Sequence, residues 1–172
     1  YRIKLIKTDE YGNTVWQNVY PNDFTLTAAN LRAHSLLELP SGNFMVIGES
    51  VQADGKTDMH VAEIGADGAL IRERTIDFTF LVNSVPFVEN TISIRGQAVQ
   101  LDSDWNLLVL GAIQDVTDNM VLAELNIADL SISWAKKYGA GASTLSNKIY
   151  LDGSNNIFWS GTVTRSSSDI RL

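Results

Sequence analysis

The stretch Asn43-Phe44-Met45-Val46-Ile47-Gly48 decides the fold, because it recurs twice along the chain. The other copies are Asn106-Leu107-Leu108-Val109-Leu110-Gly111 and Asn156-Ile157-Phe158-Trp159-Ser160-Gly161. Self-similarity at a period of roughly 50–60 residues is typical of proteins built from stacked or radially arranged repeats. The chain is therefore predicted to consist of copies of one supersecondary unit.

The segments that flank this stretch recur in the same phase. Downstream, Asp58–Ile64 resembles Asn119–Leu125. Upstream, Ser35–Leu39 is aligned with Gln97–Leu101 and Asn147–Leu151. A further set of matched segments ends in Trp16, Arg72 and Trp134: Gly12–Trp16, Gly68–Arg72 and Leu130–Trp134.

Each copy is predicted to form four short strands, a to d. Runs of five to eight residues rich in Val, Ile, Leu and aromatic residues, bounded by Gly, Asn, Asp and Ser, are strand signals. The predicted units are strands c and d within 1–20 (2–8 and 13–19), a full unit at 34–75 (34–39, 43–49, 58–64, 69–75), a second at 96–136 (96–101, 105–112, 119–125, 130–136), and a partial unit at 146–172 (146–151, 155–162, 169–172). Antiparallel four-stranded repeats of this length are typical of β-propeller blades. The predicted fold class is therefore all-β, with residues 1–172 forming about three blades of a single, larger β-propeller domain.

Two further expectations follow from the strand assignment. Leu26–Ala33 could form one or two helical turns in the connection before strand a, although it is shorter than an isolated helix needs. The sequence starts and stops within strand c, so we expect an internal segment of a larger ring. Residues 1–172 alone are expected to self-associate or fold poorly, because open strand edges pair with other chains.

The composition excludes several functional classes. The net charge is −7, and the 13 Lys and Arg residues are scattered rather than clustered, which argues against a nucleic-acid-binding face. No apolar run is long enough for a transmembrane helix. The chain has no cysteine, which removes disulfides, thiol nucleophiles and cysteine-ligated zinc.

Repeated residues at fixed positions are predicted to have structural roles. Trp16 and Trp134, on strands d, are expected to pack against the next blade, with Trp134 largely buried. Gly48, Gly111 and Gly161 are expected to close strand b, where one backbone approaches another or bends away. Arg72 replaces the tryptophan in the second copy, which predicts an irregular blade there.

The candidate catalytic and metal-binding residues are few. His34 and His60 are the only histidines, and no partner for a metal site is evident beside them in sequence. Paired loop carboxylates could serve a glycosidase or bind Ca²⁺, but the same residues are ordinary in turns. These carboxylates are Asp54, Asp58, Asp115 and Asp118 in b–c loops, and Asp23, Asp77 and Glu89 in d–a connections. We predict no catalytic, cofactor-binding or metal-binding residue.

The longest insertion, Asp77–Arg95, is also the most apolar one. It contains Phe78, Phe80 and Phe87. A connection this long is usually functional or ordered by another part of the protein. It is predicted either to plug the ring or cover the outer strand, or to contact a protein partner.

Two segments carry a family resemblance. Thr8–Tyr20 and Leu39–Gly48 resemble the repeats of bacterial cell-envelope β-propellers of the Bacteroidota type. The resemblance implies an extracytoplasmic location, in a secreted protein, a lipoprotein or an outer-membrane-associated protein. Thr8–Trp16 also resembles the Asp-box turn of sialidase-type propellers, but two residues rather than one separate Asp9 from Gly12, so a structural turn is expected.

Propellers host binding, scaffolding and catalysis alike, so the fold alone does not select a function. The predicted function is a non-catalytic binding or scaffolding propeller that engages a protein partner or a glycan. The alternative is a glycan-active hydrolase or lyase with its active site partly outside this segment.

Overall fold

The computed structural model describes residues 1–20, 30–53, 55–76, 93–114, 119–138 and 143–164. These residues form twelve strands and no helix. In chain order the strands are β1 Ile3–Thr8, β2 Thr14–Tyr20, β3 Asn30–Glu38, β4 Phe44–Val51, β5 Thr57–Ile64, β6 Leu70–Ile76, β7 Ser93–Leu101, β8 Leu107–Gln114, β9 Asn119–Leu125, β10 Ile132–Tyr138, β11 Ser143–Leu151 and β12 Ile157–Thr164.

The strands form four antiparallel sheets in chain order. Sheet 1 is β1–β2, sheet 2 is β3-β4-β5-β6, sheet 3 is β7-β8-β9-β10, and sheet 4 is β11–β12. The two predicted four-stranded units are confirmed, with each strand paired to its neighbour in sequence and no pairing between strands b and d. The predicted helix is wrong for Asn30–Ala33, which lie in β3, and Leu26–Ala29 fall outside the described residues. Pairing of eight β3 residues with β4 outweighs the weak helical preference of this short stretch.

The first strand of each unit contains a β-bulge at the same position. Register shifts after Ala33, Gly96 and Ser146 leave His34, Gln97 and Asn147 as the extra residues. Ser35 and Ala98 are each the first paired residue after the bulge, so Ser35 is equivalent to Ala98. The sequence alignment, which matched Ser35 with Gln97, was therefore wrong by one residue. The apolar Leu39 occupies the turn position of Asp102 and Asp152, and this substitution hid the correct register.

The repeated glycines lie inside strand b rather than at its end. Gly48, Gly111 and Gly161 each pair with the residue that precedes the bulge on strand a. Gly48 and Gly111 are buried where a neighbouring backbone comes close, whereas Gly161 is exposed. The prediction of close backbone approach is therefore confirmed for two of the three positions.

Apolar side chains on alternating positions join the sheets into a stack. Met45, Ile47 and Val61 of sheet 2 share one buried cluster with Val109 and Val121 of sheet 3. Separate clusters join sheet 1 to sheet 2 and sheet 3 to sheet 4. Strands β4 and β8 are covered on both faces, as their continuous apolar sequences predict. In β12, by contrast, residues 157–160 alternate between half-buried and exposed side chains.

Aspartates brace the turns. The Asp9 carboxylate accepts hydrogen bonds from the backbone N–H groups of Tyr11 and Asn13 and from the Asn13 side chain, at 2.8–3.0 Å. The hydrogen bonds from Asn13, foremost that of its side chain, hold the pKa of Asp9 below its ordinary value. Asp152 makes the same set of bonds in the β11–β12 turn. The interpretation of Asp9 as a turn brace is supported by this geometry.

Candidate functional site

Sheet 1 docks on sheet 2 through three alternate side chains of β2. The Trp16 indole N–H donates to the Ala66 carbonyl at 2.9 Å, and its ring meets Phe44 edge-on at 6.4 Å. The Asn18 amide donates to the Gly68 carbonyl at 2.7 Å, and the buried Tyr20 hydroxyl donates to the same oxygen. Strand d of one sheet therefore binds the c–d turn of the next sheet, a more specific contact than the apolar packing expected of Trp16.

Arg72 performs the same docking between sheets 2 and 3. Its guanidinium donates to the carbonyls of Ile127 and Ala128 in the β9–β10 turn, while Arg74 donates to the Asp129 carbonyl at 3.2 Å. Glu63, directly opposite on β5, holds Arg72 in place at 2.7 Å. The prediction that Arg72 marks an irregular blade is wrong, because a guanidinium offers the same carbonyls several donors in place of one indole N–H.

Trp134 is the residue of sheet 3 that is equivalent to Trp16 and Arg72, and its environment differs from the prediction. Its indole N–H donates to Glu124 of its own sheet at 3.0 Å, and the side chain is half-buried rather than largely buried. Its ring packs with Leu122 and with Ile157 and Trp159 of sheet 4. No c–d turn of a following sheet covers it within the described residues.

The docking contact of Trp16 can be tested by giving sheet 1 the residues that occupy the equivalent positions of sheet 2. Trp16→Arg alone places a guanidinium opposite Lys7, where like charges are destabilising. Lys7→Glu combined with Trp16→Arg recreates the Glu63–Arg72 pair of the next sheet. We expect a favourable coupling energy of about 1 kcal/mol between the two substitutions in a double-mutant cycle from urea unfolding. Additive effects of the two substitutions would contradict the shared docking role.

A charged cluster joins the first strands of sheets 2 and 3. Glu49 on β4 is 1% exposed, and its carboxylate meets Arg32 Nη1 at 2.8 Å and Arg95 Nε at 3.0 Å. Arg32 and Arg95 occupy equivalent positions on β3 and β7, since each precedes the bulge by two residues. Both arginine side chains remain more than a third exposed. The buried carboxylate thus accepts a hydrogen bond from Arg32 and forms an ion pair with Arg95 that lacks hydrogen-bond geometry.

The bulge places further polar residues beside this cluster. His34 is the bulge residue of β3, and its Nε2 lies 3.9 Å from Glu49 Oε1. Gln97 is the corresponding residue of β7, a strand that lies next to β3. Bulges re-aim side chains and are common next to functional sites. We define Arg32, His34, Glu49 and Arg95 as the inner-strand cluster. Its formal charge is positive, because two arginines face one glutamate, although the whole chain carries −7.

His60 occupies a buried site between sheets 1 and 2. It is buried with no aligned hydrogen bond to either ring nitrogen, and Glu73 Oε2 lies 3.3 Å from Nε2 in poor hydrogen-bond geometry. Burial lowers the pKa of His60, and the nearby Glu73 opposes that shift. Ile3, Leu5 and Tyr20 surround it together with apolar residues of sheet 2. This histidine is a packing residue, as its equivalence to Val121 on β9 predicts.

The lowered pKa predicts a pH dependence of stability. The folded state disfavours protonated His60. The unfolding free energy should therefore be highest above the unfolded pKa of about 6.5, and it should decrease as the pH falls towards the folded pKa. His60→Val should flatten the profile of unfolding free energy below the unfolded histidine pKa of about 6.5. An unchanged slope in His60→Val would refute this assignment. Urea unfolding across the pH series is the measurement.

Most predicted loop residues lie outside the described part of the chain. Among the candidate carboxylates only Asp58 is described. It lies in β5 rather than in the predicted b–c loop, and it accepts a hydrogen bond from the Gln52 side chain at 2.8 Å. The remaining candidates are outside the described residues: Asp23, Asp54, Asp77, Glu89, Asp115 and Asp118. Phe78, Phe80 and Phe87 are outside it too, whereas Ser93–Arg95, at the end of that insertion, belong to β7.

Sequence reasoning missed Arg32, Glu49 and Arg95. Arg32 had been placed in a possible helix and Arg95 in an insertion, so their equivalence was hidden. The detectable signal was Glu49, a charged residue directly after an apolar run that should be buried on both faces.

Within the parts of the chain that the structure describes, no three His, Cys, Asp or Glu side chains converge as metal ligands would. The same residues include no helix suited to crossing a lipid bilayer. No protein-family model matches the chain, and no curated protein sequence matches it significantly.

Proposed function

We propose that the chain is a non-catalytic binding or scaffolding module of the β-propeller type, whose inner-strand cluster recognises carboxylate groups of a glycan or a protein partner. The all-β repeat and the side-by-side arrangement of β3, β7 and β11 support the propeller geometry, with these strands nearest the axis. Radial sheets of this kind bring the first strands together around a shared centre.

The observation that carries the proposal is the pair of arginines held by buried Glu49. Arg32 donates a hydrogen bond to Glu49, and Arg95 forms an ion pair with it that lacks hydrogen-bond geometry. Both side chains remain partly accessible, so each guanidinium can also bind an external acceptor. Guanidinium groups match carboxylates with two parallel hydrogen bonds. Because the arginine side chains are already held in place by Glu49, binding costs less conformational entropy.

Titration calorimetry with oligogalacturonate, a carboxylated glycan, tests the proposal, with its methyl-esterified form as the neutral control. A poly-glutamate peptide tests the protein alternative. We expect Arg95→Gln to weaken binding about tenfold or more, the usual scale for one charge-assisted hydrogen bond, and Arg95→Lys to give an intermediate affinity. Lys148→Gln removes an exposed charge outside the cluster and should have little effect. Binding that does not depend on Arg95, or equal binding of the methyl ester, would contradict the carboxylate site.

We further infer an extracytoplasmic location at the bacterial cell surface, in the periplasm or at the outer membrane. The support is the resemblance of Thr8–Tyr20 and Leu39–Gly48 to envelope propeller repeats. Fractionation of the source cells, followed by immunodetection, tests this location. Recovery in the cytoplasmic fraction alone would refute it.

A further inference from the structure

The turns between paired strands share one residue position with a left-handed backbone. Glycine adopts this conformation freely and asparagine tolerates it, whereas other side chains meet a steric penalty. In the β7–β8 turn the position is occupied by Trp105, with φ of 67°. Among the described turns, the residues with positive φ are Gly12, Gly42, Gly55, Gly68, Trp105, Leu130 and Asn155.

Nothing in the packing of Trp105 offsets this penalty. Leu130 has a similar conformation but is 2% exposed and belongs to the core between sheets 2 and 3, so its burial compensates. Trp105 is 56% exposed. Residues that keep an unfavourable backbone conformation without such compensation are concentrated at functional sites. The position of Trp105 therefore indicates a role outside the stability of the fold.

The turn that presents Trp105 is firmly held. The Asp102 carboxylate accepts hydrogen bonds from the backbone N–H groups of Asp104 and Asn106, at 2.9 and 2.8 Å. The Asn155 side chain, from the equivalent turn of sheet 4, donates to the Ser103 hydroxyl. The indole is thus displayed from a turn that is braced internally and tied to its neighbour.

The exposure of Trp105 is set by described neighbours. Turns between strands a and b, and between c and d, lie at one end of the sheets, and all of those in the described sheets are themselves described. Residues 21–29, 77–92, 115–118 and 139–142 connect strand ends at the opposite side, and residues 165–172 follow β12 at that side too. Sheet 3 also packs against a described sheet on each face.

The surroundings of Trp105 favour a sugar over a protein surface. Apart from Trp105, the turns 102–106 and 152–156 contain only polar residues and glycine. Protein hot spots need further contacts around the anchor that exclude water. A pyranose ring instead packs its C–H groups on one flat aromatic face and directs its hydroxyls to short polar side chains. Because Asp104 is exposed and neither turn contains Lys or Arg, a neutral saccharide fits better than an acidic one.

We propose that Trp105 is the stacking residue of a second binding site, which takes a pyranose ring of a neutral saccharide. Ser103, Asp104 and Asn155 are exposed beside it and provide hydrogen-bonding groups for the sugar hydroxyls. The inner-strand cluster lies at the other end of the sheets, since Arg95 and Leu101 are separated by about 20 Å of extended β7. The Trp105 site is therefore independent of the proposed carboxylate site.

Titration calorimetry with cellohexaose, xylohexaose and mannohexaose tests the proposal. We expect at least one of these neutral oligosaccharides to bind. Trp105→Asn, which copies the residue at the equivalent position of sheet 4, should weaken that binding about tenfold or more. Tyr11→Ala removes another exposed aromatic ring from a turn and should leave the affinity unchanged. Absence of binding to all three sugars, or unchanged affinity in Trp105→Asn, would overturn the proposal.

The stability of Trp105→Asn distinguishes binding from a structural role. Asparagine is less strained in the left-handed conformation, so the urea midpoint of unfolding should stay the same or rise while saccharide affinity falls. Opposite changes in stability and affinity are typical of residues retained for function. A lowered urea midpoint in Trp105→Asn would show that the indole stabilises the fold, and would overturn the proposal.

The two sites can fail separately. Trp105→Asn should leave oligogalacturonate binding unchanged, and Arg95→Gln should leave neutral saccharide binding unchanged. If oligogalacturonate binds and no neutral saccharide does, the Trp105 site is refuted and the proposed function stands. If only a neutral saccharide binds, through Trp105, the carboxylate site is refuted and this inference stands. A single substitution that weakens both ligands equally would refute the separation of the two sites.

Discussion

Gly48→Ala is expected to prevent the native pairing of β3 with β4. A Cβ at this position would lie 1.8 Å from the carbonyl oxygen of Arg32 and 2.9 Å from the Cα of Ala33. The obstructing atoms are backbone, so no side-chain rotation relieves the overlap. We expect a loss of about 3 kcal/mol or more in unfolding free energy, at or above the upper end of ordinary overpacking costs. The bulge at His34 is what brings the β3 backbone this close.

The matched control is Gly153→Ala in the β11–β12 turn. A Cβ at Gly153 meets no atom within 4 Å, and its φ lies outside the left-handed region. This variant should unfold within about 0.5 kcal/mol of the wild type, as substitutions at unconstrained surface positions do. Urea unfolding of both variants provides the comparison. If Gly48→Ala were as stable as Gly153→Ala, the bulged pairing of β3 with β4 would be wrong.

Removing both arginines from Glu49 is expected to have the second large effect. In Arg32→Gln with Arg95→Gln, the carboxylate stays in a site where it is 1% exposed and has lost both positive partners. An uncompensated buried charge such as the Glu49 carboxylate costs about 3–5 kcal/mol. The loss should appear in thermal and urea unfolding as destabilisation well beyond that of exposed substitutions.

A third substitution separates the charge effect from lost packing. Glu49→Gln in the double-arginine background removes the stranded charge and keeps the side-chain volume. We expect this triple variant to recover most of the stability lost by the double variant, because removing all members of a buried ion cluster costs less than removing some of them. A triple variant as unstable as the double variant would show that the arginines stabilise by packing alone.

The strands of this protein could be read from its sequence because their signals are local. The apolar run from Phe44 to Ile47 and its two copies, bounded by turn residues, specify short strands wherever they occur. The match of Trp16 with Arg72 and Trp134 was also correct, because the cross-strand register places Lys7, Glu63 and Glu124 opposite them.

The candidate site was not predictable in the same way. Glu49, Arg32 and Arg95 lie on three strands of two sheets, and only the packing of β7 beside β3 and β4 brings the charges together. The one-residue bulge at His34 also escaped detection, because an extra residue in one strand leaves the apolar pattern readable in either register.

The sequence by itself determined the repeat, the strand order within each unit and the all-β class, since these follow from period, turn residues and apolar runs. Only the tertiary structure decided that Arg72 replaces a tryptophan at a sheet-to-sheet contact and that two arginines share one buried glutamate. The physical reason is that burial and charge pairing depend on which sheet lies opposite a residue, and neighbouring sheets are set by contacts far apart in the chain.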